Sequence, residues 1–295
     1  MKPVIKYQGG KSRELPFIKE LLPQQFDRVV EPFCGGAAVS FGLGYPALLS
    51  DINRDVINLY SVVANEELYS QLQVKVEYIK TLDHDDLQKE YYAAREAIIQ
   101  PWDCVDELQR ALSYIIVRQL CFSGMERYNA KGEFNVPFGH YKKFACNLSL
   151  DHHQFLKKCD IRHGSFSDLF NDTTSSDFLF IDPPYLERLG YTEGDGGESL
   201  HKELAQFLKS TTAKWMIVHS DHEFYRETYK DFNIVDRDFS YSQRFGKDIN
   251  KSEAPKIDTF IEIDSSSENV VPEKKKKPLK DHSGAKVKHL YVTNY

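Results

Sequence analysis

No run in the 295 residues approaches the roughly 18–20 consecutive apolar side chains that a bilayer-spanning helix needs. The segment Met1-Lys2-Pro3-Val4-Ile5-Lys6 leads into glycines without an apolar core, so no secretory signal is expected. The chain is therefore expected to be soluble and cytoplasmic. Cysteine is sparse and unpatterned: Cys34, Cys104, Cys121, Cys146 and Cys159 are odd in number and contain no C-x-x-C pair. That argues against a disulfide framework and against a zinc site. The dinucleotide fingerprint G-x-G-x-x-G is absent. Gly10-Lys11-Ser12 has the ending of a phosphate-binding P-loop, but Ile5 stands where the motif needs its first glycine and no clear strand precedes it. An NTPase is rejected on that ground. The pair His152-His153 has no second His or Cys spaced to help it bind a metal, and reads as a solvated loop.

What is present is ample core material. The composition is 41% hydrophobic and 28% charged, with 19 Phe and 17 Tyr, which rules out a fully disordered chain and suits one large domain or two smaller ones. The net charge of −6 is uneven: from Ser265 onward seven Lys oppose three acidic residues, so this tail carries +4 and the rest −10. Bulk charge thus decides nothing about nucleic acid, which a local basic surface can still bind.

Strand signals fall at 28–31, 46–50, 178–181 and 215–218, with further β-rich stretches at 233–239, 257–263 and 287–292. The first is followed by Phe33-Cys34-Gly35-Gly36-Ala37-Ala38, a tight turn into an apolar helix, and the second ends at Asp51. Strand, turn, helix, strand and acid is the pattern of a nucleotide-binding α/β unit. A short helix is expected around 14–22, and residues 53–118 are helical in pattern. Residues 122–144 mix Gly, Asn, Arg, Lys and aromatics with hairpin-like alternation, and Ser265-Ser266-Ser267 with Lys274–Lys277 reads as a linker. The division is a discontinuous domain, 1–60 and 160–295, interrupted by an insert at 61–159, with 265–284 as a Ser- and Lys-rich loop.

Asp182-Pro183-Pro184-Tyr185, just past a buried strand, is the sharpest chemical signal. Two prolines fix the backbone, and the residue before a proline is held extended. A rigid carboxylate, a carbonyl and a flat ring are presented at the carboxyl edge of the sheet, a receptor for a planar group bearing an NH2. The bland alternative is a proline turn with a core Tyr. Asp51 is likewise a grip for a ribose diol or an N-cap for the following helix.

Together with Lys6-Tyr7-Gln8-Gly9-Gly10-Lys11, Glu31-Pro32-Phe33-Cys34-Gly35-Gly36-Ala37 and Ser50-Asp51-Ile52-Asn53, this tetrapeptide resembles the motif set of the Dam-like DNA adenine-N6 methyltransferases of the D12 class, alpha group. The resemblance implies an α/β class I S-adenosylmethionine-dependent methyltransferase, a Rossmann-like mixed seven-stranded sheet, with an inserted, mainly helical DNA-recognition domain containing a β-hairpin. It implies S-adenosylmethionine contacts at Tyr7, Lys11, Phe33, Gly35, Asp51, Asp168 and Asp182, with Gly35 and Gly36 letting the backbone approach the methionine part. It implies catalysis by Asp182, Pro183, Pro184 and Tyr185, with no metal. Trp is more frequent than Tyr at position 7, and Gly is more frequent than Ala at position 37, where Ala is tolerable if φ stays negative.

The stretches 122–129 and 132–139 match the hairpin with which GATC-methylating relatives read DNA. On that match Arg127 contacts a guanine, Met125 and Pro137 make apolar base contacts, Asn129 belongs to the same hairpin, Tyr141 intercalates or packs near the flipped site, and Lys142 with Lys143 touches phosphates. The implied partner is double-stranded DNA, read at GATC or at a site beginning GAT, by a monomer or by a transient dimer on DNA, with no membrane involved. Two rivals are methylation of another amino group (cytosine N4 or a protein glutamine) and a non-catalytic DNA-binding relative. The first families place Ser or Asn where Asp182 stands. If 285–295 rather than 257–263 forms the last antiparallel strand, truncation at Ser265 unfolds the protein.

Overall fold

The computed structural model describes residues 1–186, 197–241 and 285–295. A 3-10 turn, Lys11–Arg13, leads into α1 (Leu15–Glu20). Then come β1 (Arg28–Glu31), α2 (Ala38–Leu43), β2 (Ala47–Asp51) and α3 (Arg54–Ala64). Helices α4 (Glu66–Thr81), α5 (His84–Ile99) and α6 (Glu107–Leu120) precede a hairpin, α7 (Leu150–Leu156) and β3 (Asp160–His163). The chain continues through β4 (Asp177–Ile181), α8 (Glu198–Ser210), β5 (Lys214–Ser220), α9 (Glu223–Thr228), β6 (Asn233–Tyr241) and β7 (Ala285–Thr293).

The seven strands form one sheet in the order β3-β2-β1-β4-β5-β7-β6. The first five are mutually parallel, and β7 runs antiparallel to β5 with Ile217 opposite Val292. The mixed seven-stranded sheet expected from the resemblance is present, and its antiparallel strand is the 285–293 segment. The rival segment 257–263 and the loop 265–284 lie outside the described residues. Residues 1–236 and 289–295 form one compact unit and 237–288 a second, so the insert at 61–159 shares the first unit with the sheet strands β1–β5.

Alternation builds the two faces. Val30, Leu48, Leu179, Ile181, Trp215 and Ile217 form one buried cluster with Leu204 and Leu208 of α8, Tyr225 of α9 and Leu290 and Val292 of β7. The central strands read as continuous apolar runs because both faces are covered. Four successive helices start with side-chain caps: Asn53, Asn65, Asp83 and Asp106 each accept a bond from a first-turn backbone N–H of α3, α4, α5 and α6.

Three readings need correction. Asn53, not Asp51, caps α3, accepting from the N–H groups of Asp55 and Val56. His152 and His153 are no solvated loop. They lie on α7, 2% and 6% exposed, bonded to the carbonyls of Lys2 and Val63, and His153 stacks on Tyr69. Ala37 has φ 48 and ψ 36 rather than a negative φ, so the turn into α2 carries the left-handed strain of a non-glycine residue, about 1 kcal/mol.

Candidate active site

Because β1, β2, β4 and β5 run parallel, Glu31, Asp51, Asp182 and Ser220 emerge on one edge of the sheet, the carboxyl edge where open α/β sheets bind ligands. The strap 6–11 crosses that edge. It turns through the Gly10 N–H to Tyr7 carbonyl bond (3.2 Å) and buries Lys11, whose Nζ donates to the Gly9 carbonyl (2.9 Å) and to Asp182 Oδ2 (2.5 Å). Two segments 171 residues apart are joined by this ion pair, which places the acid of the tetrapeptide against the N-terminal motif. Lys11 Nζ also lies 5.4 Å from the centre of the Tyr185 ring.

The loop after β1 wraps Asp51. Asp51 Oδ2 accepts the Gly35 N–H (2.8 Å) and Oδ1 the Asn53 N–H (2.9 Å), while Tyr60 Oη donates to the Gly35 carbonyl (2.6 Å). Burial pushes the Asp51 carboxyl up to about 6 against these bonds, which pull it down. Gly35 has φ +42, and a Cβ there would come within 2.6 Å of the Tyr7 ring; one on Gly36 would come within 2.9 Å of Tyr7 Cβ. The space that both glycines leave is thus taken by Tyr7, so their immediate structural role is to seat that ring. Glu31, a neighbour of Asp182, is buried and held by the Ser40 N–H (2.7 Å); desolvation raises its carboxyl to about 7.

Phe33 stacks on Phe166 at 5.4 Å, and the Gly164 N–H donates to the Asp51 carbonyl (3.2 Å), which brings the 164–168 loop beside Asp51. Within it Asp168 closes a capping box, accepting the Ser165 N–H (2.8 Å). The turn-capping role of Asp168 is therefore visible directly.

Several residues around the tetrapeptide had no sequence signal. The Tyr185 ring meets the edges of His219 (6.2 Å) and His289 (5.7 Å). His219 lies face to face on Tyr225 at 3.6 Å, and Tyr225 Oη accepts the Leu186 N–H and meets His201 Nε2, both at 3.3 Å. Burial holds the His201 imidazole down at about 4, hence neutral. His289 on β7 pairs with the buried Glu14 (2.9 Å), which also accepts the Tyr291 hydroxyl. Apart from His219 on Tyr225, these contacts join residues tens to hundreds of positions apart, so no spacing in the sequence foreshadows them.

The second group of expected residues sits on the hairpin. Its arms are joined by Phe122 N–H to the Pro137 carbonyl (2.9 Å), Asn135 N–H to the Arg127 carbonyl (3.1 Å) and Asn129 N–H to the Glu133 carbonyl (2.9 Å). Asn129 builds the turn: Oδ1 accepts from the Lys131 and Glu133 N–H groups and Nδ2 donates to Glu133 Oε2. Arg127 is exposed and donates to Asn135 Oδ1 (2.7 Å) and its carbonyl (2.9 Å). Met125, Pro137, Lys142 and Lys143 are exposed, and Tyr141 is half-buried with Lys6 Nζ 4.1 Å above its ring. The structure thus assembles Tyr7, Lys11, Gly35, Asp51 and Asp182 at the sheet edge, and Met125, Arg127, Asn129 and Pro137 on a separate exposed ribbon. Among the described residues no helix is long and apolar enough to cross a membrane, and no three His, Cys, Asp or Glu side chains gather as a metal site.

Five parallel strands with the antiparallel β7 beside β5, a glycine turn gripping an acid and an acidic Pro-Pro-Tyr turn on the same edge define a class I methyltransferase. The chain belongs to the D12 class N6 adenine-specific DNA methyltransferases, whose family model matches residues 7–243. It is 33% identical over 264 residues to the Type II methyltransferase M.CviBI of Paramecium bursaria Chlorella virus NC1A, covering 85% of this chain and 96% of the viral protein. It is 32% identical over 259 residues to M.MjaIII of Methanocaldococcus jannaschii (79% and 90% covered). With the DNA adenine methylase of Haemophilus influenzae it shares 29% identity over 247 residues (77% and 82% covered). The protein is an adenine-specific DNA methyltransferase; its substrate is DNA and its methyl donor is S-adenosylmethionine.

Proposed function

We propose that the enzyme methylates adenine N6 in duplex DNA at GATC, or at a site beginning GAT, acting as a monomer on a base flipped out of the helix. The observation that carries the reading is the Lys11–Asp182 pair, which sets the tetrapeptide acid beside the Tyr7–Gly35–Asp51 cradle. Residues 1–60 and 160–295 form the catalytic part on this reading, and 61–159 the recognition part.

The cradle suits S-adenosylmethionine chemically: Asp51 keeps free lone pairs for two ribose hydroxyls after accepting two backbone N–H groups, and Tyr7, Phe33 and Phe166 offer apolar ring surface beside it. Lys11 would neutralise the methionine carboxylate, and the Asp168 loop would border the adenine. S-adenosylmethionine, when bound, supplies a sulfonium-activated methyl group. The protein's task is then positioning.

The adenine amine is conjugated into its ring and is a poor nucleophile. Hydrogen bonds from it to the Asp182 carboxylate and the Pro183 carbonyl favour a tetrahedral nitrogen and stabilise the positive charge that develops there. Pro183 and Pro184 keep both acceptors rigid, and Tyr185 stacks on the base. Flipping costs a few kcal/mol, which the contacts of the hairpin offset. On the hairpin Arg127 faces guanine O6 and N7, Met125 and Pro137 touch base edges, Asn129 holds the turn, Tyr141 packs near the extruded base and Lys142 meets phosphate.

The test is labelled methyl transfer to two short duplexes, one with a single GATC and one with that site scrambled, with Asp182→Ala as control. Label confined to the GATC duplex, recovered as N6-methyladenine and lost in the variant, is expected. Equal labelling of both duplexes would overturn the site assignment.

A further inference from the structure

The hairpin is seated unevenly: Phe134, Val136 and Phe138 of its second arm are buried, and Tyr91 Oη donates to the Val136 carbonyl (2.7 Å). A cavity of about 360 Å3 separates its Tyr128 and Phe134 from Asp55, Arg110, Tyr114 and Arg118, so close packing does not fix the ribbon along that wall. The first arm, at 125–126, is held there by point ties, and beside a Cys121 Sγ contact to the Met125 carbonyl (3.4 Å) two of them come from Arg118. Arg118, in the last turn of α6, is 1% exposed. Its Nε donates to the Lys6 carbonyl (3.1 Å), while Nη1 donates to the Met125 carbonyl and stands 3.4 Å from Glu126 Oε2. The guanidinium lies 5.3 Å from the centre of the Tyr7 ring. A second tie runs parallel, from the Glu126 N–H to Gln8 Oε1 (3.2 Å), and Tyr128 Oη secures the other carboxylate oxygen of Glu126 (2.8 Å).

A buried arginine is an unfavourable choice for stability alone. Its charge faces one partly exposed carboxylate, and Nη2 finds no partner among the described residues. An apolar side chain would fill that place on α6 at less cost. What only a planar fork supplies is a fixed angle between two chain segments. Here those segments are 6–8, whose Tyr7 rests on the glycines beside Asp51, and 125–126, which immediately precede Arg127.

We propose that Arg118, seconded by Gln8, is the positioning residue for sequence readout, fixing the recognition hairpin to the N-terminal strap so that Arg127 meets its base pair in register with the catalytic edge. This rests on the hairpin's reading role proposed above and adds the residues that set its aim. Neither Arg118 nor Gln8 need touch DNA.

The experiment compares kcat/KM on the duplex that the wild type prefers, as mapped on genomic DNA, with duplexes carrying one changed base pair within that site. Using the mapped site keeps the test separate from the GATC assignment: a wild type that prefers another sequence overturns the earlier proposal and still tests this one. Arg118→Lys keeps the charge and loses the fork; the expected result is about a tenfold fall in discrimination at the pair Arg127 reads, with the Kd for S-adenosylmethionine within about threefold and an unchanged far-UV spectrum. Gln8→Ala, half-exposed and safe for folding, should give a smaller loss in the same direction. The Arg118→Lys, Gln8→Ala double variant should lose less than the sum, because both ties hold one segment. A merely structural role would instead lower Tm and reduce all duplexes equally. Discrimination within twofold of wild type in both single variants overturns the proposal, and should Arg118→Lys not fold, Gln8→Ala alone decides.

Discussion

The carboxyl edge of the sheet and the 122–139 hairpin, to which readout is assigned above by proposal, hold their side chains by opposite means. At the edge Lys11 is 4% exposed and Asp51 8% exposed, and both are fixed by main-chain partners or by a buried ion pair. On the hairpin Arg127, Met125, Pro137 and Lys142 stand in solvent, and Arg127 is restrained by its cross-strand neighbour Asn135. Chemistry needs preorganised groups whose placement the whole fold enforces; readout needs groups that can trade one partner for another. Changes at the edge should therefore strike rate and folding together, whereas changes on the ribbon should strike selectivity and leave folding alone.

The largest expected effect is at Asp182. Asp182→Ala should lower kcat by about a thousandfold or more and also cost stability, because Lys11 is left buried without its carboxylate; single-turnover methyl transfer and thermal denaturation read the two losses, and activity within tenfold of wild type would break the comparison. Next comes Arg127→Ala, expected to cost about 1–3 kcal/mol in kcat/KM on the preferred site and to relax choice at a single base pair. Its Tm should stay at the wild-type value, so a large fall in Tm would show the ribbon to be structural after all.

A pH series sharpens the same contrast. The Asp51 carboxyl is raised from the ordinary aspartate value to about 6 by burial. The folded protein then holds a proton that the unfolded chain releases at lower pH, so this group's contribution to stability is present below the ordinary value and is lost as pH rises toward 6. Affinity for S-adenosylmethionine should move the other way over that window, because the ribose hydroxyls need the charged acceptor, and should be about tenfold weaker at pH 5 than on the plateau above 7. Isothermal titration should find Asp51→Asn flat across this range. The smallest effect belongs to Lys142→Ala, which should reduce the slope of log K against log salt by about one with selectivity unchanged.

Legibility in the sequence divides along similar lines. β1, β2, β4 and β5 were marked by apolar runs that stop at an acid or a proline, because central parallel strands are buried on both faces. β3 escaped because an edge strand can be polar: Arg162 pairs with Asp160 and Asp172 and keeps the edge charged. α7 escaped because two histidines read as polar, although both are buried and bonded to carbonyls. At the site, the local motifs around Lys11, Asp51 and Asp182 could be read because the turn chemistry that shapes them is contiguous. The tethers Arg118, Glu14, His289 and Tyr225 could not, since each acts on a segment remote in sequence. Ala37 marks a further limit: the condition on which Ala is tolerable there, a negative φ, is one the sequence alone does not reveal, and the residue has φ 48.

The position of β7 has a consequence for the order in which the molecule can be made. Residues 289–293 occupy an inner place in the sheet, beside β5 and before β6, and His289 reaches Glu14 and the edge of Tyr185. A nascent chain that has passed the ribosome through β6 has already exposed its Asp182-Pro183-Pro184-Tyr185 turn, yet one flank of β5 is open and Tyr185 has no His289 beside it. Synthesis is vectorial, so His289 can reach the edge of Tyr185 only after the whole stretch between them has been made.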